Sequence, residues 1–276
     1  MRIPTELGEL YVEEQGTGPA VLLWHSFLHH GGMWRAVVEG LRDRHRVICV
    51  DAPGHGRSSA VRRPYDLDDC AVAAEKVLDA RGVDRAAIVG LSWGGMVAMQ
   101  LAARRSQRIS SIVVMDSSCR REPLLRRAEY FAMGAVVARI GVPTPFLGVI
   151  EPLFFSDHTL RHRREELVEP WRSYVLRMDR ASILHGLECI MGRRDLTAEL
   201  RQADVPALVL VGAEDRAQPP FESERIASAI PRARLAVIPG AGHLAALERP
   251  DETLTLVREH LARTHRADDY LGGATA

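Results

Sequence analysis

Ile88-Val89-Gly90-Leu91-Ser92-Trp93-Gly94-Gly95-Met96-Val97-Ala98 compresses a strand, a tight turn and a helix start into one stretch. Ala86 to Leu91 is a short, almost wholly apolar run, as expected of a parallel strand covered on both faces. From Gly94 the pattern turns helical, with Met96, Val97, Met99 and Leu101 set among alanines. Ser92 stands at the corner in a G-x-S-x-G frame. Strand and helix must nearly touch there, so Gly90 and Gly94 fall where a side chain would clash. The serine is expected in a strained conformation that pushes its hydroxyl clear of the sheet.

On either side of this corner the chain alternates strand and helix. Residues 2–15 read as an antiparallel pair closed by Gly16-Thr17-Gly18-Pro19, and Val21–Trp24 is the first fully apolar strand. A helix over about 33–42 leads to the strand Val47–Val50. A second helix carries Leu67, Cys70, Ala71, Ala74, Val77 and Leu78 on one stripe. After the serine turn comes the strand Ile112–Met115. Residues 119–194 then show helical patterns and no buried strand. The alternation resumes with strands Ala207–Val211 and Leu235–Ile238, and Pro250 suits the first position of a closing helix. The order predicts an α/β fold: a mostly parallel, doubly wound sheet with a helical cap inserted after the sixth strand. The expected core is 1–118 with 195–265, the cap 119–194, and 266–276 a disordered tail. A cap there would lie over the carboxyl edge of the sheet, where open α/β sheets bind ligands.

Composition narrows the chemistry. The 276 residues are long enough for one large domain, and formal net charge is zero, so nothing draws the chain as a whole to nucleic acid or an anionic membrane. Lys76 is the only lysine, which argues against Schiff-base chemistry. Cys49, Cys70, Cys119 and Cys189 have neither metal-knuckle nor disulfide-framework spacing, and the first residues lack an apolar leader. A soluble cytoplasmic protein is expected, with no metal and no cofactor. Its oligomeric state is left open, a homodimer included.

Three polar residues stand at the carboxyl ends of three strands: Ser92, Asp215 and His243. In a parallel sheet those ends share one rim. A serine hydroxyl becomes a useful nucleophile when an imidazole takes its proton, and a carboxylate fixes the tautomer of that imidazole. The order Ser, Asp, His is the one used by nucleophile-elbow hydrolases.

The chain resembles the α/β-hydrolase fold family over nearly its whole length. The matching segments are His25-Ser26-Phe27 with Trp34, the run Asp51–Ser58, Gly90–Gly95, Gly212–Asp215 with Pro219, and Gly240–His243 with Glu248-Arg249-Pro250. The wording of Gly54–Ser58 and Pro239–His243 is most similar to 3-oxoadipate enol-lactonases and related small carboxylesterases. The resemblance implies hydrolysis of a small-molecule ester or lactone through an acyl-enzyme. It gives Asp215 the acid role ahead of its competitors Glu214 and Asp116. Backbone N–H groups of Phe27 and Trp93 would form the oxyanion hole. His25, Ser26 and Trp34 are expected to line the substrate pocket. His55 is expected to hold its loop together, and His29 and His30 to be solvated loop residues. Arg126, Arg127 and Arg139 are candidates to meet a substrate carboxylate, or are plain surface. Two alternatives use the same fold: carbon–carbon bond hydrolysis of a vinylogous keto acid by the same triad, and a slow-turnover ligand-binding receptor. Haloalkane dehalogenase and epoxide hydrolase chemistry fits poorly, because those relatives carry aspartate where Ser92 stands.

Overall fold

A computed structural model describes residues 1–104 and 107–272, with side chains described through residue 264. The first half of the chain contributes β1 (Arg2–Thr5), β2 (Gly8–Gln15), β3 (Ala20–Trp24), α1 (Arg35–Leu41), β4 (Arg46–Asp51), α2 (Leu67–Ala80), β5 (Ala86–Leu91), α3 (Trp93–Ala103) and β6 (Ile109–Met115). Five helices follow: α4 (Leu124–Ile140), α5 (Thr144–Phe154), α6 (Asp157–His162), α7 (Glu169–Val175) and α8 (Arg180–Gly192), with a π turn at Arg164–Val168. After α9 (Thr197–Leu200) come β7 (Ala207–Gly212), α10 (Pro220–Ala229), β8 (Ala233–Ile238), α11 (Ala245–Glu248) and α12 (Pro250–Gly272). The backbone of 266–272 is thus helical, and 273–276, the rest of the expected tail, lie outside the described residues.

The eight strands form one sheet in the order β1-β2-β4-β3-β5-β6-β7-β8. β1 with β2 and β2 with β4 pair antiparallel, and every later pair is parallel. β5, β6 and β7 are buried along their whole length, which is why their sequences run apolar rather than alternating. β8 is the edge strand and leaves Leu235 and Val237 exposed. One face of the sheet is covered by α2, α3 and α10 through Val77, Met99 and Ile226. The other is covered by α1 and α12 through Val37, Leu41, Val257 and Leu261.

The register sets the site. Trp24 pairs with Gly90, Gly90 with Val114, Met115 with Leu210, and Gly212 with Ile238. The carboxyl ends of β3, β5, β6, β7 and β8 therefore share one rim. The helices between β6 and β7 leave and return at a closed stem. Leu196 N–H donates to Cys119 O at 2.8 Å, and Arg193 pairs with Glu122 at 2.5 Å with both side chains buried. Among the described residues no helix is long and apolar enough to cross a membrane.

Candidate active site

Ser92 sits between β5 and α3 with φ 56° and ψ −109°, a conformation that L-residues rarely adopt. Its neighbours enforce it. A Cβ on Gly90 would lie 2.1 Å from Gly94 O, and one on Gly94 would lie 2.0 Å from Trp24 O. Ser92 N–H donates to Met115 O at 2.7 Å, and Ser92 O accepts from the Ser117 hydroxyl at 2.8 Å, so the turn is tied to β6. Its side chain lines a cavity of about 130 Å³ together with His243 and Phe27.

His243 lies beyond β8, and its ring donates from Nδ1 to Asp215 Oδ2 at 2.9 Å, both residues being buried. That bond leaves Nε2 as the basic nitrogen. The other oxygen of Asp215 accepts from the N–H groups of Ala217 and Gln218 at 2.8 and 2.9 Å. Asp215 is thus held from both sides. Of its competitors, Glu214 accepts from Asp157 N–H, and Asp116 accepts from Gly212 N–H at 2.7 Å. Burial, and then the charge of Asp215, pushes Asp116 well above the usual carboxylate range.

The remaining expected pocket residues are placed differently. His25, Ser26 and Trp34 do not line the cavity. His25 is fully buried, with Nε2 accepting from Ala52 N–H at 2.8 Å and Nδ1–H donating to Ser26 O at 2.7 Å. This braces the loop after β3. With Ser26 C=O turned toward the His25 ring, the trans geometry of the same peptide turns Phe27 N–H away from it. Ser26 is buried in that loop. Trp34 closes a 3₁₀ turn at Gly31–Trp34 and is buried in the layer beneath α1. The indole of Trp93 packs edge-on against Trp24 and Phe27, whereas its N–H is the first of α3. His55 holds its loop as expected, bonding Pro53 O at 2.9 Å. His29 is buried rather than solvated and accepts from His30 N–H. Arg127 and Arg139 do not line the cavity, and Arg126 lies beside it.

Most of the cavity wall comes from the helices between β6 and β7: Met133 and Val137 of α4, Ile150 and Phe154 of α5, Ile183 and Leu187 of α8. Which apolar residues of those helices face inward depends on their packing. Glu248 has a clearer signal, a lone acid ending the apolar run Leu244–Leu247. Its carboxylate accepts from Gly242 N–H at 2.8 Å, Ser156 N–H at 2.9 Å and the Ser156 hydroxyl at 2.6 Å. It thereby joins the His243 loop to the inserted helices.

The alpha/beta hydrolase fold model matches residues 19–250. Over 254 residues the chain is 30% identical to the pimeloyl-[acyl-carrier protein] methyl ester esterase of Nitrosomonas europaea, covering 89% of this chain and 97% of that protein. It is 32% identical over 265 residues to polyketide synthase ThaQ of Burkholderia thailandensis, covering 94% of this chain but only 12% of that longer protein. Among solved structures, a thermophilic esterase from Thermogutta terrifontis superposes with a TM-score of 0.89 at 30% identity, over 96% of this chain and 98% of that one. The enol-lactonase from Burkholderia xenovorans LB400 gives 0.88 at 25% identity, over 95% and 100%.

Proposed function

The chain belongs to the α/β-hydrolase fold family, and on that premise we propose that it is a serine hydrolase of carboxylic esters or lactones. Ser92 Oγ attacks the carbonyl carbon as His243 Nε2 takes its proton. Asp215 holds the ring and stabilises the imidazolium. The oxyanion is received by the N–H groups of Phe27 and Trp93. His243 then gives its proton to the leaving oxygen, and the acyl group rests on Ser92. Water, deprotonated by the same imidazole, attacks the acyl carbonyl. His243 returns that proton to Ser92 Oγ as the acyl–oxygen bond breaks, and the acid is released. Residues 1–118 and 195–265 act as the core, and 119–194 as a cap that closes the site from bulk water.

The observation that carries this reading is the 2.9 Å bond from His243 to Asp215 beside a strained Ser92 on the same cavity wall. The apolar lining favours an ester with a hydrophobic acyl group over a keto acid, whose carboxylate would be desolvated there without a cation. The test is turnover of a short activated ester. Ser92→Ala should lower kcat by several orders of magnitude, and the unaltered chain should gain the mass of one acyl group on Ser92. Full turnover in Ser92→Ala removes Ser92 as the nucleophile. Acylation that stalls after one cycle favours a receptor.

A further inference from the structure

Beside the apolar chamber lies a depression of opposite character, about 420 Å³ in volume. The two share Glu122, Ala217 and Gln218 in their walls, so they meet at one seam. Among the described residues the chamber has no lysine or arginine in its wall. The second cleft has five arginines: Arg120, Arg121, Arg126, Arg193 and Arg225.

The wall's two carboxylates leave part of that charge uncovered. Arg193 is paired with buried Glu122, and Arg225 with Glu222 at 2.5 Å, where Glu222 also accepts from the Ser118 hydroxyl. Arg120 lies 3.9 Å from Asp195, which is outside the cleft wall. Arg126 donates to the uncharged Ala217 O at 3.4 Å, and Glu122 and Glu129 act on it through space without an ion pair among the described residues. Among the described residues Arg121 has no ion-pair partner. In a chain of zero formal charge this surplus is local. Arg126 also marks the seam, since Ala217 lines both depressions.

We propose that the substrate is a two-part ester, with a short apolar acyl chain in the chamber and an anionic group, phosphate or carboxylate, on the alcohol side held by Arg121 and Arg126. This assignment rests on the hydrolase reading above. A guanidinium fork matches either anion, and each exposed contact is modest and screened by salt, so the effect belongs in KM and in ionic-strength dependence. For the chamber, a cavity near 150 Å³ elsewhere holds benzene, so an acyl chain of roughly six carbons is the matching size.

The experiment uses three hexanoyl esters: of a neutral alcohol, of a hydroxy acid and of a phosphorylated diol. At low salt the anionic esters should show kcat/KM about tenfold above the neutral one. The ratio should fall toward one in 0.5 M salt, and in Arg121→Gln with Arg126→Gln, through KM. Equal gains for both anions define a general anion site, and a gain for phosphate alone names phosphate as the group. A ratio near one in the unaltered chain, or one that survives both substitutions, overturns the proposal. Calorimetric titration with hexyl phosphate against hexan-1-ol reads the cleft without turnover. Hexyl phosphate should bind about tenfold more tightly, and Arg121→Gln alone should weaken it, because that side chain supports no ion pair in the fold. If no ester is turned over yet hexyl phosphate binds in this arginine-dependent way, the hydrolase reading fails and the anion cleft stands. If esters are cleaved but hexyl phosphate binds no better than hexanol, the reverse holds.

Discussion

His243 donates from Nδ1 to Asp215 at 2.9 Å, and Asp215 receives two backbone N–H groups on its other oxygen. The carboxylate is therefore fixed before the imidazole uses it. Asparagine at 215 would keep the shape but could present its NH₂ to the ring, forcing the proton to Nε2, where the base is needed. Asp215→Asn is expected to lower kcat by about 10³–10⁴ while leaving the unfolding midpoint within a few degrees. Asp116 should not rescue it, because it is held by Gly212 N–H and its pKa is raised. Burst kinetics with an activated ester would show the loss in the acylation step.

Gly94 has no room for a methyl group. Its Cβ would meet the backbone oxygen of Trp24 at 2.0 Å, and β3 cannot retreat because it is paired on both sides by β4 and β5. Gly94→Ala should cost about 3 kcal/mol or more, read as a lowered denaturant midpoint or as loss of soluble protein. By contrast, Gly134 has only ordinary contacts, with Leu187 at 3.5 Å, so Gly134→Ala should keep stability within about 1 kcal/mol.

Ser92, Asp215 and His243 stand out as candidates in the sequence because each lies within a few residues of the end of a strand, and parallel strands end on one rim. Period and turn chemistry are local, so β3 and β5–β7 were legible to within a few residues. His25, Ser26 and Trp34 were not, because whether a residue just past a strand faces outward or folds beneath depends on its loop. Here the His25 ring is turned inward by bonds to Ser26 O and Ala52 N–H. Likewise Glu122 and Arg193 lie at opposite ends of the insertion, and nothing local in either segment announces their pairing. Inward faces of α4 and α8 are set by helix packing, which weakly amphipathic stretches do not specify.

The bracing of the loop after β3 has its own consequence. His25→Ala removes both the acceptor for Ala52 N–H and the donor that holds Ser26 C=O, freeing the Ser26–Phe27 peptide to rotate. If Phe27 N–H is an oxyanion donor, kcat should fall by about 10² with a much smaller change in KM. Inhibition by a transition-state mimic such as a boronic acid should weaken in parallel, which a purely structural loss would not require.

Glu248 joins Gly242, the residue immediately before His243, to Ser156 at the start of α6. Removing a buried acceptor leaves two N–H groups and a hydroxyl without their partner, at a cost of about 1–3 kcal/mol. Glu248→Ala should lower stability by about that amount and raise hydrogen exchange at Ser156 and Gly242 together. Glu248→Gln, which keeps one carbonyl oxygen, should recover part of both. Exchange rising at only one of the two sites would mean that the carboxylate does not couple them.

His55 makes folding sensitive to acid. Burial lowers its pKa from 6.5 to about 4, since its ring sits among Trp93, Phe27 and His25. The unfolded chain thus binds a proton that the folded chain refuses between those two values, so the group's contribution is present above about pH 6.5 and is lost as pH falls toward 4. At one pKa unit per 1.36 kcal/mol, the full loss is about 3 kcal/mol, and about 2 of it has gone by pH 5. His25 and His29, also lowered, act in the same direction. Asp116 opposes them, because its raised pKa means the folded chain holds a proton that the unfolded one releases. His55→Gln retains a donor for Pro53 O but cannot titrate. Urea unfolding at pH 7 and pH 5 should therefore show a difference smaller by about 2 kcal/mol in that variant than in the unaltered chain. Equal differences would mean that His55 is not neutral and buried in the native state.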